Sequence, residues 1–212
     1  MKKYLNRSML ILVFLLLSSL IFIAQYTHFF RFTPEALGKY LPVRWVLMAH
    51  ILAGAGALLT GPFQFVRSFR NRYMLLHRWL GRLYVLCILL SASGALILTF
   101  TTTDEVGVLY TVALWFLVLV WLVATALAYY TIRRRKVQEH EEWMLRSYLC
   151  TFAFIVQNYV LKIPAVMALA PFPELSPSIF WFSWSMPLFG YQVYLGLKKL
   201  RTAPPERTRA KI

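Results

Sequence analysis

Six apolar stretches, each about the length that crosses a ~30 Å hydrocarbon core, divide this chain, and Lys or Arg gather at their ends. No other feature narrows the fold as much. In lipid every backbone N–H and C=O must be satisfied internally, so such runs become helices. The runs are roughly 9–27, 43–66, 77–100, 108–132, 144–169 and 177–198. Together they predict an all-α, polytopic integral membrane bundle of six transmembrane helices. A basic segment (1–8) precedes the 9–198 helical domain, and a basic, disordered tail (199–212) follows it. The chain is 59% hydrophobic, against about 45–50% apolar in a soluble domain.

Charge sets the expected orientation. With the N-terminus inside, nineteen of the 23 Lys and Arg fall on cytoplasmic segments, and only Arg31, Lys39 and Arg44 fall outside. That bias predicts both termini in the cytoplasm. The net charge of +15 therefore points to anionic lipids on the cytoplasmic face rather than to nucleic acid. The charged start followed by an apolar run resembles a secretory signal. No small-x-small cleavage site follows Ala24, so 9–27 reads as an uncleaved first helix. Cys87 and Cys150 both lie in apolar runs and read as small core residues, not as a disulfide.

Several runs carry packing signals. Ala53 to Ala57 and Ser91-Ala92-Ser93-Gly94-Ala95 are faces along which helix backbones can approach closely. Gly61-Pro62 predicts a kink in the second helix, and Pro164 one in the fifth. Thr101 to Gly107 reads as a tight loop.

Two stretches share a pattern. His77-Arg78-Trp79-Leu80-Gly81-Arg82-Leu83-Tyr84 opens the third helix. A looser copy, His140-Glu141-Glu142-Trp143-Met144-Leu145-Arg146-Ser147-Tyr148, opens the fifth. In both, Trp precedes Arg by three residues and Arg precedes Tyr by two. The copies suggest that helices 3–4 and 5–6 form a parallel pseudo-repeat. Trp79, Trp143, Tyr84 and Tyr148 read as interfacial anchors.

Chemistry has few carriers here. The four histidines divide by depth: His28 and His50 toward the outside, His77 and His140 at the cytoplasmic starts of helices 3 and 5. Paired His on different helices can hold b-type haem, so a haem-binding redox accessory is the leading functional reading. No Cys or carboxylate shares a face with these His at zinc-ligand spacing. A second reading is a small transporter or permease, working as a dimer. Its outer-leaflet polar pocket would be built from His50, Gln157, Asn158 and Lys162, completed by Tyr191 or Gln192. Lys162, with no carboxylate in any helix core to pair with it, is the costliest residue to place in lipid. On this reading Lys162→Met abolishes ligand binding. At the cytoplasmic side Arg82, Arg146 and Trp143, beside His77 and His140, read as an anion or lipid-headgroup cluster. A third reading is a lipid-interacting structural protein. No nucleophile elbow, phosphate loop or metalloprotease motif is present.

The ordered series His50, Gly54, Gly56, Leu59, Gly61-Pro62-Phe63-Gln64-Phe65, then His77 to Tyr84, then His140, Trp143-Met144 and Arg146-Ser147-Tyr148 resembles a bacterial family of predicted membrane proteins, the domain of unknown function numbered 2306. The resemblance covers roughly 45–195. It implies a helical protein of the bacterial cytoplasmic membrane. It marks His50, His77, Arg82, His140, Trp143 and Arg146 as family motif positions. Relatives often carry an Arg within the fifth helix near the place of Asn158, where this chain instead has Lys162 one turn later. The family also bears a general likeness to haem-bearing four-helix membrane proteins.

Overall fold

The structure is a computed structural model that describes residues 2–202, with side chains described for 9–101 and 107–201. Among these residues there are helices and short turns and no strand. Six long helical segments dominate: α1 (Lys2–Gln25), α2 (Arg44–Thr60), α3 and α4 (the two arms of Met74–Arg133), α5 (Val137–Val160) and α6 (Phe172–Thr202). Three stretches are long and apolar enough to cross a membrane: Pro34–Phe65, Met74–Thr101 and Gly107–Arg133. Met9–Gln25 is a shorter apolar helix.

Large side chains on the outside are apolar. Phe100 is 79% exposed, Leu109 76% and Leu169 75%, as suits a surface solvated by lipid rather than by water. Small and aromatic residues are prominent among the fully buried ones: Ala57, Ala92, Ala128, Ala153, Tyr84 and Phe180 are at 0% exposure, beside the aliphatic Ile88 and Leu117. In lipid no hydrophobic force drives helices together, so close backbone approach and polar contacts must do it. Gly94 shows the approach: a Cβ there would lie 2.9 Å from the Cβ of His50. Gly61 shows it more sharply, because a Cβ would meet the Tyr148 ring at 2.4 Å. The small-residue faces read from the sequence are therefore contact faces between α2 and α3, and Gly61, read as a kink, is where the end of α2 meets α5. Cys87 and Cys150 are buried and free.

Several boundaries differ from the sequence-based expectation. The predicted 101–107 loop is mostly helical, and the chain reverses at Gly107 alone, at φ 79° and ψ 165°. That left-handed φ is open to glycine at no steric cost. Trp115 Nε1 then donates to Thr99 Oγ1 at 3.3 Å across the reversal. The fifth helix starts at Val137 and ends at Val160, before Pro164 rather than through it. Pro164 forces Ile163 into an extended conformation (φ −78°, ψ 116°) and opens a separate turn, Pro164–Met167. The sixth helix begins at Phe172, five residues earlier than expected, and runs to Thr202. It takes up the first residues of the predicted disordered tail. The rest of that tail, 203–212, lies outside the described residues.

The bundle has two chemically distinct ends. At the basic end Arg70 pairs with Glu141 and Lys136 with Glu139. At the far end the C-terminus of α1 meets the turn after α5, where Lys162 Nζ donates to Gln25 Oε1 at 2.5 Å. The Lys162 side chain is exposed and lies past the helix end. Its expected place in a helix core is thereby corrected: the helix ends at Val160, before Pro164, so Lys162 lies in the turn beyond it with its ammonium on Gln25.

Candidate functional site: a polar-capped cavity at the far end of the bundle

A cavity of about 520 Å³ opens among α1 to α5 at the far end. Its walls mix aromatic side chains, including Phe22, Phe29, Tyr40, Tyr110 and Phe154, with aliphatic ones, and a smaller set of polar groups interrupts them. That volume and composition fit a pocket for one small organic molecule. Of the sequence-derived candidates, His50, Gln157 and Asn158 line it. Lys162, Tyr191 and Gln192 do not line it. Lys39, which the sequence reading left in a loop, lines it instead, with its Nζ over the Tyr40 ring at 5.3 Å. No Asp or Glu is among the lining residues.

Each polar group is held by its helix. His50, on α2, places Nδ1 2.8 Å from the backbone carbonyl of Ser91 on α3, with the Ser91 hydroxyl at 3.2 Å. A carbonyl oxygen only accepts, so Nδ1 carries the proton, and the neutral ring keeps a bare lone pair on Nε2. Gln157 is buried, and its amide lies 3.4 Å from the Tyr110 hydroxyl. The Asn158 side chain reaches the Tyr26 hydroxyl. Its Oδ1 is buried without a hydrogen-bond partner. A buried acceptor left unpaired costs about 1–3 kcal/mol and calls for a donor. The site therefore offers two acceptors, His50 Nε2 and Asn158 Oδ1, inside an aromatic shell.

The floor is a hydrogen-bonded network. Trp121 Nε1 donates to Thr151 Oγ1 at 3.0 Å, and both residues line the cavity. Below them the Tyr84 hydroxyl bonds Thr151 Oγ1 at 2.9 Å and Ser147 Oγ at 3.0 Å. Thr125 Oγ1 bonds Ser147 Oγ at 2.7 Å. Residues 147 and 151 share one face of α5 by the i, i+4 spacing.

In both copies of the repeated motif the Arg stacks on the Trp: Arg82 over Trp79 at 4.9 Å and Arg146 over Trp143 at 4.6 Å. In both, the Tyr two residues on faces the opposite way, into the core. Tyr84 is 0% exposed and Tyr148 3%. The expectation that these tyrosines anchor at the interface is corrected: two helical residues rotate a side chain by about 200°, which carries Tyr inward when Arg faces out. Tyr84 then serves the network, and Tyr148 packs on Gly61 and Phe65.

The histidine pairs separate. His28 is exposed, bonds the Gln25 carbonyl at 2.9 Å, and does not line the cavity of His50. No outer His pair is assembled. At the basic end His77 is within electrostatic reach of His140, Arg70 and Arg78. His140 Nδ1 donates to the Ala128 carbonyl at 2.8 Å. Among the described residues no group of three or more His, Cys, Asp or Glu side chains could hold a metal ion. Sequence reasoning missed Ser91, Tyr26 and Tyr110. The serines within the small-residue face Ser91 to Ala95 were the available signal, since a hydroxyl there sits opposite His50.

These features define a helical membrane protein with an aromatic, acceptor-bearing cavity set between its helices. The chain belongs to the family described as predicted membrane protein (DUF2306), which matches residues 47–191 and so takes in α2 to α5 and much of α6. No curated protein and no solved structure matches it.

Proposed function

We propose that this protein is a six-span bundle of the bacterial cytoplasmic membrane whose far-end cavity binds a small, uncharged aromatic molecule carrying hydroxyl donors, a quinol or related phenol. The basic end and both termini face the cytoplasm, so the cavity lies in the outer half of the bilayer. One observation carries the reading: two acceptors, the His50 lone pair and the unpartnered Asn158 Oδ1, line one apolar cavity. A hydroxyl donor satisfies each. The lack of a lining carboxylate disfavours cations, which need a counter-charge in a low dielectric. The aromatic walls suit a flat ring.

Binding of a short-chain benzoquinol and of its quinone to the purified protein tests this. The quinol, which donates, binds about tenfold more tightly than the quinone, which only accepts, because a buried acceptor left unpaired costs 1–3 kcal/mol. Equal affinity for the two removes the reading.

A redox-accessory role in which b-type haem is held by paired His rests, in this fold, on His77 and His140 alone. It is favoured by the His140 Nδ1–H bond to Ala128, which leaves Nε2 bare as haem-ligating imidazoles require. A Soret band after haem-replete expression, lost in His140→Ala, supports it; no band removes it. A transport role requires the Trp121–Thr151 floor to open, and quinol-dependent uptake into vesicles tests that.

A further inference from the structure

A second cavity, about 490 Å³, lies on the lipid-facing side where α4, α5 and α6 meet. It belongs to neither the far-end cavity nor the histidine pair. Its walls are apolar: Leu119 and Val123 from α4, and Leu188 and Phe189 from α6. At its basic end sit Trp143, Arg146 and Gln192. We propose that this groove is a specific site for an anionic phospholipid, with the phosphate at Arg146 and one acyl chain along the apolar walls.

The Arg146 guanidinium is held in place. It stacks on Trp143 at 4.6 Å and on Tyr191 at 5.2 Å, and it donates to Gln192 Oε1 at 3.0 Å. Stacking fixes the plane of the guanidinium, and one hydrogen bond leaves most of its five donors for a planar or tetrahedral oxyanion. Among the described residues no carboxylate lies within ion-pair distance of it. Of the nearby acids Glu141 pairs with Arg70, while Glu142 accepts from Gln138 Nε2 at 3.2 Å and keeps its charge within electrostatic reach of Tyr191. A fixed cation above an apolar trough matches an anionic head with a chain beneath it.

The sequence repeat supplies an internal control. Arg82 stacks on Trp79 in the same way, but Trp79 is 58% exposed and neither residue lines the groove. Both arginines carry the same charge at the same end of the bundle. Of the two, Arg146 lines this groove and Arg82 does not.

The test measures phosphatidylglycerol retained per mole of protein after extraction from vesicles of phosphatidylglycerol and phosphatidylcholine. Arg146→Gln lowers retention about fivefold, the effect of one basic residue at an anionic surface. Arg82→Gln leaves it unchanged. Val123→Trp, which fills the groove from the exposed side while keeping Arg146, lowers retention as Arg146→Gln does. Equal losses in Arg82→Gln and Arg146→Gln overturn the proposal in favour of a diffuse basic surface. Retention unchanged in Arg146→Gln, or in Val123→Trp, also overturns it. Each variant is compared only as a monodisperse peak, and Arg146→Lys, which keeps the charge, serves as the folding control for position 146.

Discussion

The least conspicuous residue in the motif, the tyrosine, carries most of its structural weight. Tyr84 holds Thr151 and Ser147 together at the bundle centre. Tyr84→Phe should cost about 0.6 kcal/mol and no more than about 1.7, the range for interhelical hydrogen bonds in lipid. A double-mutant cycle with Ser147→Ala, read by unfolding in mixed micelles, measures the coupling directly. Gly61→Ala should cost more. Its Cβ would fall 2.4 Å from the Tyr148 ring, and overpacking a tight contact costs about 1–3 kcal/mol. A lowered melting midpoint by fluorescence-detected chromatography checks it. The sequence showed that Trp, Arg and Tyr recur at fixed spacing, and it showed that His50 and Asn158 were polar groups in apolar runs. It did not show which way Tyr faces. That direction depends on the partner across the interface, Ser147 for Tyr84 and Gly61 for Tyr148, and neither is near its Tyr in sequence.

At the scale of elements, the apolar runs marked every long helix, because run length in lipid is a backbone requirement and not a side-chain preference. The ends were less legible. Helix 5 was read through Pro164, yet the break at Val160 is what puts Lys162 on the surface beside Gln25. The consequence is a reversed expectation for Lys162→Met. It should leave ligand affinity in the cavity unchanged, since Lys162 does not line it. It should instead loosen α1, whose C-terminus is tied to the turn through Gln25. Faster protease cleavage near Tyr26 in Lys162→Met, with unchanged binding, is the expected pair of results. Lost binding would restore Lys162 to the site.

For the whole molecule the chemistry is polarised: the Arg70–Glu141 and Lys136–Glu139 ion pairs at one end, a cavity with bare acceptors at the other, and a hydroxyl network between them. The orientation proposed from the basic bias is open to a labelling test in a background lacking Cys87 and Cys150. A membrane-impermeant maleimide applied to intact cells should label Glu35→Cys and not Gln138→Cys; the reverse pattern would invert the bundle. The cavity itself was only partly legible beforehand. Its polar residues on α2 and α5 stood out against lipid, whereas Tyr26, Lys39 and Tyr110 come from helix ends and connections whose convergence depends on the three-dimensional path.

The central claim is that His50 Nε2 and Asn158 Oδ1 recognise a donor-bearing ligand in this cavity. The most direct measurement is the quinol affinity of the wild type against His50→Phe and Asn158→Leu, each with a normal elution profile. Loss of one buried acceptor should weaken binding about tenfold in either variant, with the quinone hardly affected. Quinol affinity unchanged in both variants would contradict the account.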